Sequence, residues 1–157
     1  MNRAKPTLLI SALLFVAACA SPPKALNDNM VIPGERVGEI KIGMSLRELL
    51  AMKGTPRRTI PIEGSAATTY FFDGITIAAD DQVYWIIAKD NRFRTPEGVA
   101  PGVEQIFARA SYGAPDCVVT APDITVYDYG NFYFDIDNST GKVRQIGILD
   151  KTSMCDS

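Results

Sequence analysis

The chain reads as an α+β protein: two tandem units, each a helix followed by an antiparallel sheet (αβββ or αββββ), packed together. Two patterns predict this. Gly43, ten residues, then Gly54-x-Pro56 recurs as Gly102, ten residues, then Gly113-x-Pro115, an offset of 59. Between the glycines apolar residues have helical spacing, and after each Gly-x-Pro the period falls to 2.

The elements follow in order. Met1–Lys5 is short and basic through Arg3 and Lys5, and Leu8–Val16 is apolar apart from Ser11. Val16-Ala17-Ala18-Cys19 then sets small residues before a cysteine. A basic start, a short apolar run and small residues make a secretory signal. The run falls well short of the roughly 20 residues that span a bilayer. With Cys19 in that place, residues 1–19 resemble a bacterial lipoprotein signal. The resemblance implies cleavage before Cys19, a diacylglyceryl group on its thiol and a fatty acyl chain such as palmitate on the new amine. Ala20 stands where such proteins carry an Asp when the inner membrane retains them. Its presence implies the outer membrane, with the chain on the inner leaflet facing the periplasm.

Cleavage of residues 1–18 leaves 139 of the 157 residues and, with Arg3 and Lys5 gone, moves the net charge from −2 to −4. Residues 19–36 carry Pro22, Pro23, Pro33 and Gly34 among small polar residues, a poor helix and a poor strand, and read as a lipidated tether.

Residues 37–95 form the first expected unit. Ser45 is a good helix N-cap, and Glu48 completes a capping box. Leu46, Leu49 and Leu50 share a helical face, and Gly54 and Pro56 end the helix. Strands are expected over Arg58–Ile62 (an edge, because of Pro61), Thr68–Phe72, Ile75–Ala79 and Val83–Lys89, with Asp73-Gly74 and Asp80-Asp81 as turns. The second unit spans residues 96–157. Gly102 is the expected cap, Val103, Ile106, Phe107 and Ala110 the inward face, and Gly113 and Pro115 the stop. The glycines and prolines of the two helices superpose, but these apolar phases do not, which marks divergence or a rotated second helix. Strands are expected over Cys117–Thr120, Ile124–Tyr129, Phe132–Ile136 and Lys142–Leu149. A unit of about 55 residues is marginal alone, so the two should pack on each other.

Composition removes whole classes of chemistry. The chain has no histidine, which excludes Ser/His/Asp and Cys/His nucleophile systems and the commonest metal ligand. There is no basic excess for nucleic acid. The one metal-like stretch, Asp135 to Gly141, lacks the spacing of a calcium loop and reads as an Asp/Asn-rich turn. No catalytic residue, metal site or cofactor is expected. Besides Cys19 the cysteines are Cys117 and Cys155. In an oxidising compartment a bond between them is expected, closing a loop of about 38 residues.

The strands are rich in aromatic residues. Alternation puts Trp85 with Val83 and Ile87 on one face and Tyr84 with Ile86 on the other; Phe132 and Phe134 oppose Tyr133. Both faces are therefore largely apolar. One meets the helix; the other meets either the second unit or a partner, for which Tyr70, Tyr84, Tyr127, Tyr129 and Tyr133 are the candidate contacts.

Ile40-x-Ile42-Gly43-Met44-Ser45, Gly54-Thr55-Pro56 and the strands around Tyr70 and Trp85 resemble the BamE (SmpA/OmlA) small-lipoprotein domain. The tandem arrangement over residues 38–149 resembles the β-lactamase inhibitor protein. In the second unit Met44-Ser45 becomes Val103-Glu104, a departure from the pattern. The first resemblance implies a partner in outer-membrane protein assembly, the second an inhibitor that clamps an enzyme with a concave sheet. The leading expectation is thus a non-catalytic protein-binding module of the envelope, held to the membrane by the lipid on Cys19. The alternatives are an inhibitor of an envelope or host hydrolase, and a cell-wall-binding protein or enzyme working through a carboxylate pair.

Overall fold

The computed structural model describes residues 28–150. Its elements in chain order are β1 (Val31–Ile32), β2 (Arg36–Val37), β3 (Ile40–Lys41), α1 (Leu46–Lys53), β4 (Arg58–Pro61), β5 (Thr68–Phe72), β6 (Ile75–Ala79), β7 (Val83–Ala88), α2 (Gln105–Tyr112), β8 (Cys117–Thr120), β9 (Ile124–Asp128), β10 (Phe132–Asp137) and β11 (Lys142–Leu149). The expected α+β pair of packed units is not what forms. The fold is mostly β: one eight-stranded antiparallel sheet, ordered β4-β5-β6-β7-β11-β10-β9-β8, and a three-stranded sheet β1-β2-β3. Each helix has only eight residues.

The reason lies at the seam. β7 and β11 pair antiparallel through Trp85↔Leu149, Ile86↔Ile148, Ile87↔Gly147 and Ala88↔Ile146. The two halves therefore join edge to edge and share main-chain hydrogen bonds, instead of stacking face on face. Closing two edges satisfies backbone groups that would otherwise need covering. It also accounts for strands that are apolar on both faces: β6 and β7 are interior strands, and every residue of β6 is buried.

The punctuation seen in sequence has a hydrogen-bond counterpart. The Gly43 amide donates to Val83 O, and the Gly102 amide to Val143 O. The Leu46 amide donates to Asp81 O, and the Gln105 amide to Gly141 O. In each half the residues before the helix thus pair with the start of the last strand of that half.

Both helices and the small sheet pack on one face of the large sheet. Leu49 of α1, Ala108 of α2, and Val31, Val37 and Ile40 of β1–β3 join Ile75, Ile77, Ile86, Phe134, Ile136, Ile146 and Ile148 in one core. α1 begins as expected: Ser45 Oγ accepts from the Glu48 amide at 3.3 Å, and Glu48 Oε2 accepts from the Ser45 amide at 3.1 Å. α2 differs. Its N-cap is Glu104, without a side-chain cap, and its buried residue is Ala108. Ile106 is 76% exposed and Phe107 46% exposed, so the expected inward face points outward. Leu49 and Ala108 are themselves 59 apart, so the two helices bury the same position and the second is not rotated. Sequence hides this because outward Ile106 and Phe107 are more apolar than inward Gln105 and Ala108.

The tether expected over residues 19–36 is folded at its C-terminal end. Arg36 is buried, and its two terminal nitrogens reach Asp28 Oδ1 and Oδ2, both at 2.9 Å. Its Nη1 also donates to Gly38 O. Val31, fully buried, donates its amide to Arg94 O. A paired guanidinium and two buried valines outweigh the weak strand propensity of Pro33 and Gly34. Cys19 lies outside the described residues.

Candidate functional site

The face of the large sheet opposite the helices holds the candidate site. In antiparallel pairs, directly opposed residues present side chains on the same face. On this face Arg58 opposes Phe71, Phe71 opposes Thr76, and Thr76 opposes Ile87. Across the seam Ile87 opposes Gly147, Gly147 opposes Tyr133, Tyr133 opposes Asp128, and Asp128 opposes Cys117. One row of side chains thus crosses all eight strands.

Gly147 organises the middle of the row. A β-carbon there would lie 2.0 Å from Cε1 of Tyr133 and 2.4 Å from its hydroxyl oxygen. Without one, the Tyr133 ring lies flat over β11 and its hydroxyl reaches Trp85 on β7, whose Nε1 donates to it at 3.0 Å. An indole–phenol bridge therefore ties the two halves together above the seam. Tyr133 is 1% exposed, and burial pushes its phenol well above the usual tyrosine range.

The two ends of the face differ in charge. On the β8–β10 side Asp128 and Asp135 are buried. Asp128 Oδ1 accepts from the Gly130 amide at 2.7 Å. Burial raises the Asp135 carboxyl above its ordinary value, while the Gln145 amide at 2.5 Å and the charges of Arg144 and Lys89 pull it back. On the β4–β7 side the half-buried Phe71 ring carries the Arg58 guanidinium 5.5 Å from its centroid and the Lys89 ammonium 5.9 Å from it.

The five tyrosines expected to meet a partner do not form one patch. Tyr127 is a core residue, and Tyr70 and Tyr129 pack against the core on the helix side. There Tyr129 stacks on Phe132 at 4.9 Å, and Tyr127 donates to Gln105 Oε1. Tyr133 is on the helix-free face but buried. Tyr84 lines a half-open cavity of about 420 Å³ at the strand ends, with Gly43, Asp80 and Asp150. Strict alternation also fails in β7. A bulge at Tyr84, opposite Ala78 and Ala79, pairs Ala79 with Val83 and Ala78 with Trp85, so Val83 enters the core while Trp85 faces away. Phe71, Arg58 and Lys89 are not among the residues expected from sequence to meet a partner. Alternation separates Phe71 from Tyr70 and Phe72, but only the strand order and register bring Arg58 and Lys89 to its ring.

The acidic turns do structural work. Asp137 Oδ1 accepts from the amides of Ser139 and Thr140 at 2.9 and 3.0 Å, closing the β10–β11 turn and lowering its carboxyl below the ordinary range. Asp80 Oδ1 accepts from the Gln82 amide. Among the described residues no group of three or more His, Cys, Asp or Glu could hold a metal ion. Cys117, on the edge strand β8, is disulfide-bonded. Its partner lies outside the described residues, as does Cys155.

No family model matches the chain. No curated protein matches it by sequence. Among solved structures it is similar to the uncharacterized protein YfeY of Escherichia coli, at 15% identity over 75% of this chain and 98% of that one, TM-score 0.56. It is similar to YjgB of Bacillus subtilis, a DUF4309 family protein, at 20% identity over 76% of this chain and 88% of that one, TM-score 0.51. A cysteine-rich secretory protein of Staphylococcus aureus matches at 14% identity over 78% of this chain and 49% of its own, TM-score 0.52. At these identities the likeness is one of fold.

Proposed function

We propose that the chain is a lipid-anchored protein of the bacterial envelope that binds another protein through the helix-free face of its sheet and performs no chemistry of its own. The observation that carries this reading is the distribution of layers. Both helices and the small sheet cover one face of the large sheet, while Trp85 and Phe71 stay partly exposed on the other, outside the core. Two partly exposed aromatic residues with cations beside them have the composition of a protein-docking patch. The BamE-like and inhibitor-like resemblance of residues 38–149 points the same way.

The leader pattern supports the location: Cys19 carries the lipid, and Ala20 directs the chain to the outer membrane, facing the periplasm. An oxidising compartment also suits the disulfide of Cys117. We assign Cys155 as its partner on reach. Cys117 sits three strands from β11, about 14 Å at roughly 4.8 Å per strand. Cys155 is six positions beyond Leu149, and six extended residues span about 20 Å. Cys19 is then left free for the lipid.

The test is made in intact cells. A photo-crosslinking residue at Phe71 or Trp85 should capture one envelope protein, and the same residue at Met52 on α1 should not. Labelled palmitate should enter the wild type and not Cys19→Ser. Capture from Met52 alone would place the docking face elsewhere. A linked Cys19–Cys117 peptide in the mature protein would remove the anchor.

A further inference from the structure

The charge pattern on the helix-free face says more about the partner. Arg57 and Arg92 share the one carboxylate of Asp73, at 3.1 and 3.5 Å. Arg36 is held by Asp28, and Lys142 faces Glu104 at 3.6 Å. Arg58, Lys89 and six further cations (Lys41, Arg47, Lys53, Arg94, Arg109 and Arg144) make no such ion pair among the described residues, although the chain as a whole is net acidic. Two of them converge on one aromatic ring. With 5.5 and 5.9 Å from guanidinium carbon and ammonium nitrogen to the Phe71 centroid, the two cations are at most 11.4 Å apart. Two like charges brought to one half-buried ring repel each other, and the ring offsets that by only about 0.5–1 kcal/mol each at such a site. An anion arriving between them removes the repulsion.

We propose that Arg58, Phe71 and Lys89 dock an extended acidic segment of the partner protein, with carboxylates on alternate residues. Alternate residues of an extended strand point the same way about 6.6 Å apart, below the 11.4 Å upper limit on the spacing of the two cations. Arg58 lies on the edge strand β4, exposed, so an extended chain can reach it from the side. Thr69 beside Phe71 and Trp85 beyond it offer hydroxyl and apolar contact to the residues between. A protein segment fits better than an anionic membrane. A lipid surface laid on this face would spread over the Asp135 and Asp128 side as well, whereas a narrow segment can run past Arg58 and Phe71 and stop at Lys89. The inference rests on the docking face proposed above and names the chemistry of its occupant.

The experiment uses the full mature chain and a fluorescent peptide of alternating Glu and Val, read by anisotropy at several salt concentrations. Binding should weaken as salt rises. The double reversal Arg58→Glu/Lys89→Glu should weaken it at least tenfold. The remote reversal Arg47→Glu/Lys53→Glu on α1, with the same change in net charge, should leave it within twofold. A Gln/Val peptide should not bind. Equal weakening by both reversals would mean only bulk charge is sensed and would overturn the proposal. So would failure to bind the Glu/Val peptide, or binding to phosphatidylglycerol vesicles with the Arg58/Lys89 dependence that the peptide lacks. A partner crosslinked at Phe71 in cells whose capture is unchanged by Arg58→Glu/Lys89→Glu would sink the acidic-segment inference and leave the docking face standing.

Discussion

The bridge over Gly147 gives the sharpest prediction. Replacing Gly147 by Ala puts a β-carbon 2.0 Å from Cε1 and 2.1 Å from Cζ of Tyr133, far inside contact distance. β11 is held on both sides, by β7 and β10, so the strand cannot shift away cheaply. The ring must move. Full expulsion would expose most of a tyrosine that buries some 150–250 Å², about 4–6 kcal/mol at roughly 25 cal/mol per Å². It would also break the Trp85–Tyr133 hydrogen bond, about 1 kcal/mol. Partial accommodation falls nearer the 1–3 kcal/mol typical of overpacking. Ala is better than Gly in a strand by about 0.5–1 kcal/mol, which offsets part of either cost. The expected loss is therefore about 2–3 kcal/mol, or roughly 8–12 °C in Tm. Trp85 is the chain's single tryptophan, so urea unfolding followed by its fluorescence reads both stability and the bridge. The decisive control is Gly147→Ala in a Tyr133→Leu background. Leu keeps an apolar stem but lacks the far edge of the ring that the new methyl meets, so the substitution should there cost close to nothing. A coupling energy near 2 kcal/mol is expected from this cycle. If Gly147→Ala cost the same in both backgrounds, the packing argument for the bridge would be wrong.

Three further outcomes follow from the same structure. Ser45→Ala should cost about 1 kcal/mol by removing the side-chain cap of α1, measured by chemical denaturation at neutral pH. Glu104→Ser/Phe107→Glu installs the same capping box on α2, 59 residues on, and replaces an exposed aromatic residue. It should leave stability unchanged or raise it by up to about 1 kcal/mol; a loss above 1 kcal/mol would show that Phe107 packs within the fold. The Asp28 carboxyl is drawn down to about 2, first by its hydrogen bond to Arg36. A lowered acid stabilises the fold above its unfolded value near 3.8, and that share is lost as pH falls from about 4 to 2. Urea midpoints at pH 7 and pH 3 should therefore fall less between the two for Asp28→Asn than for wild type, and an unchanged drop would dismiss the pair as an acid-sensitive clasp.

Much of the molecule was legible without coordinates, because the determinants are local. Ser45 with Glu48, Gly54 with Pro56, Asp73-Gly74 and the Asp137 turn set chain direction through nearest neighbours. The strands Thr68–Phe72, Ile75–Ala79, Cys117–Thr120 and Lys142–Leu149 lie where period-2 spacing places them. The absence of histidine and the leader pattern ending at Cys19 are likewise properties of the chain alone. What sequence left open was non-local. Whether two four-strand runs stack or join depends on which edges meet, and the β7–β11 pairing spans residues about 60 apart. Whether Val83 and Trp85 share a face depends on the bulge at Tyr84 between them, and a shift of one residue reverses every side chain. The inward face of α2 was misread because its most apolar residues are the exposed ones. The Phe71 cluster draws on β4, β5 and the residue after β7, and the Trp85–Tyr133 bridge exists only because a glycine on a third strand leaves room for it. Local chemistry set the elements; the pairing of distant backbone edges decided the sheet, its helix-free face and the charges gathered there.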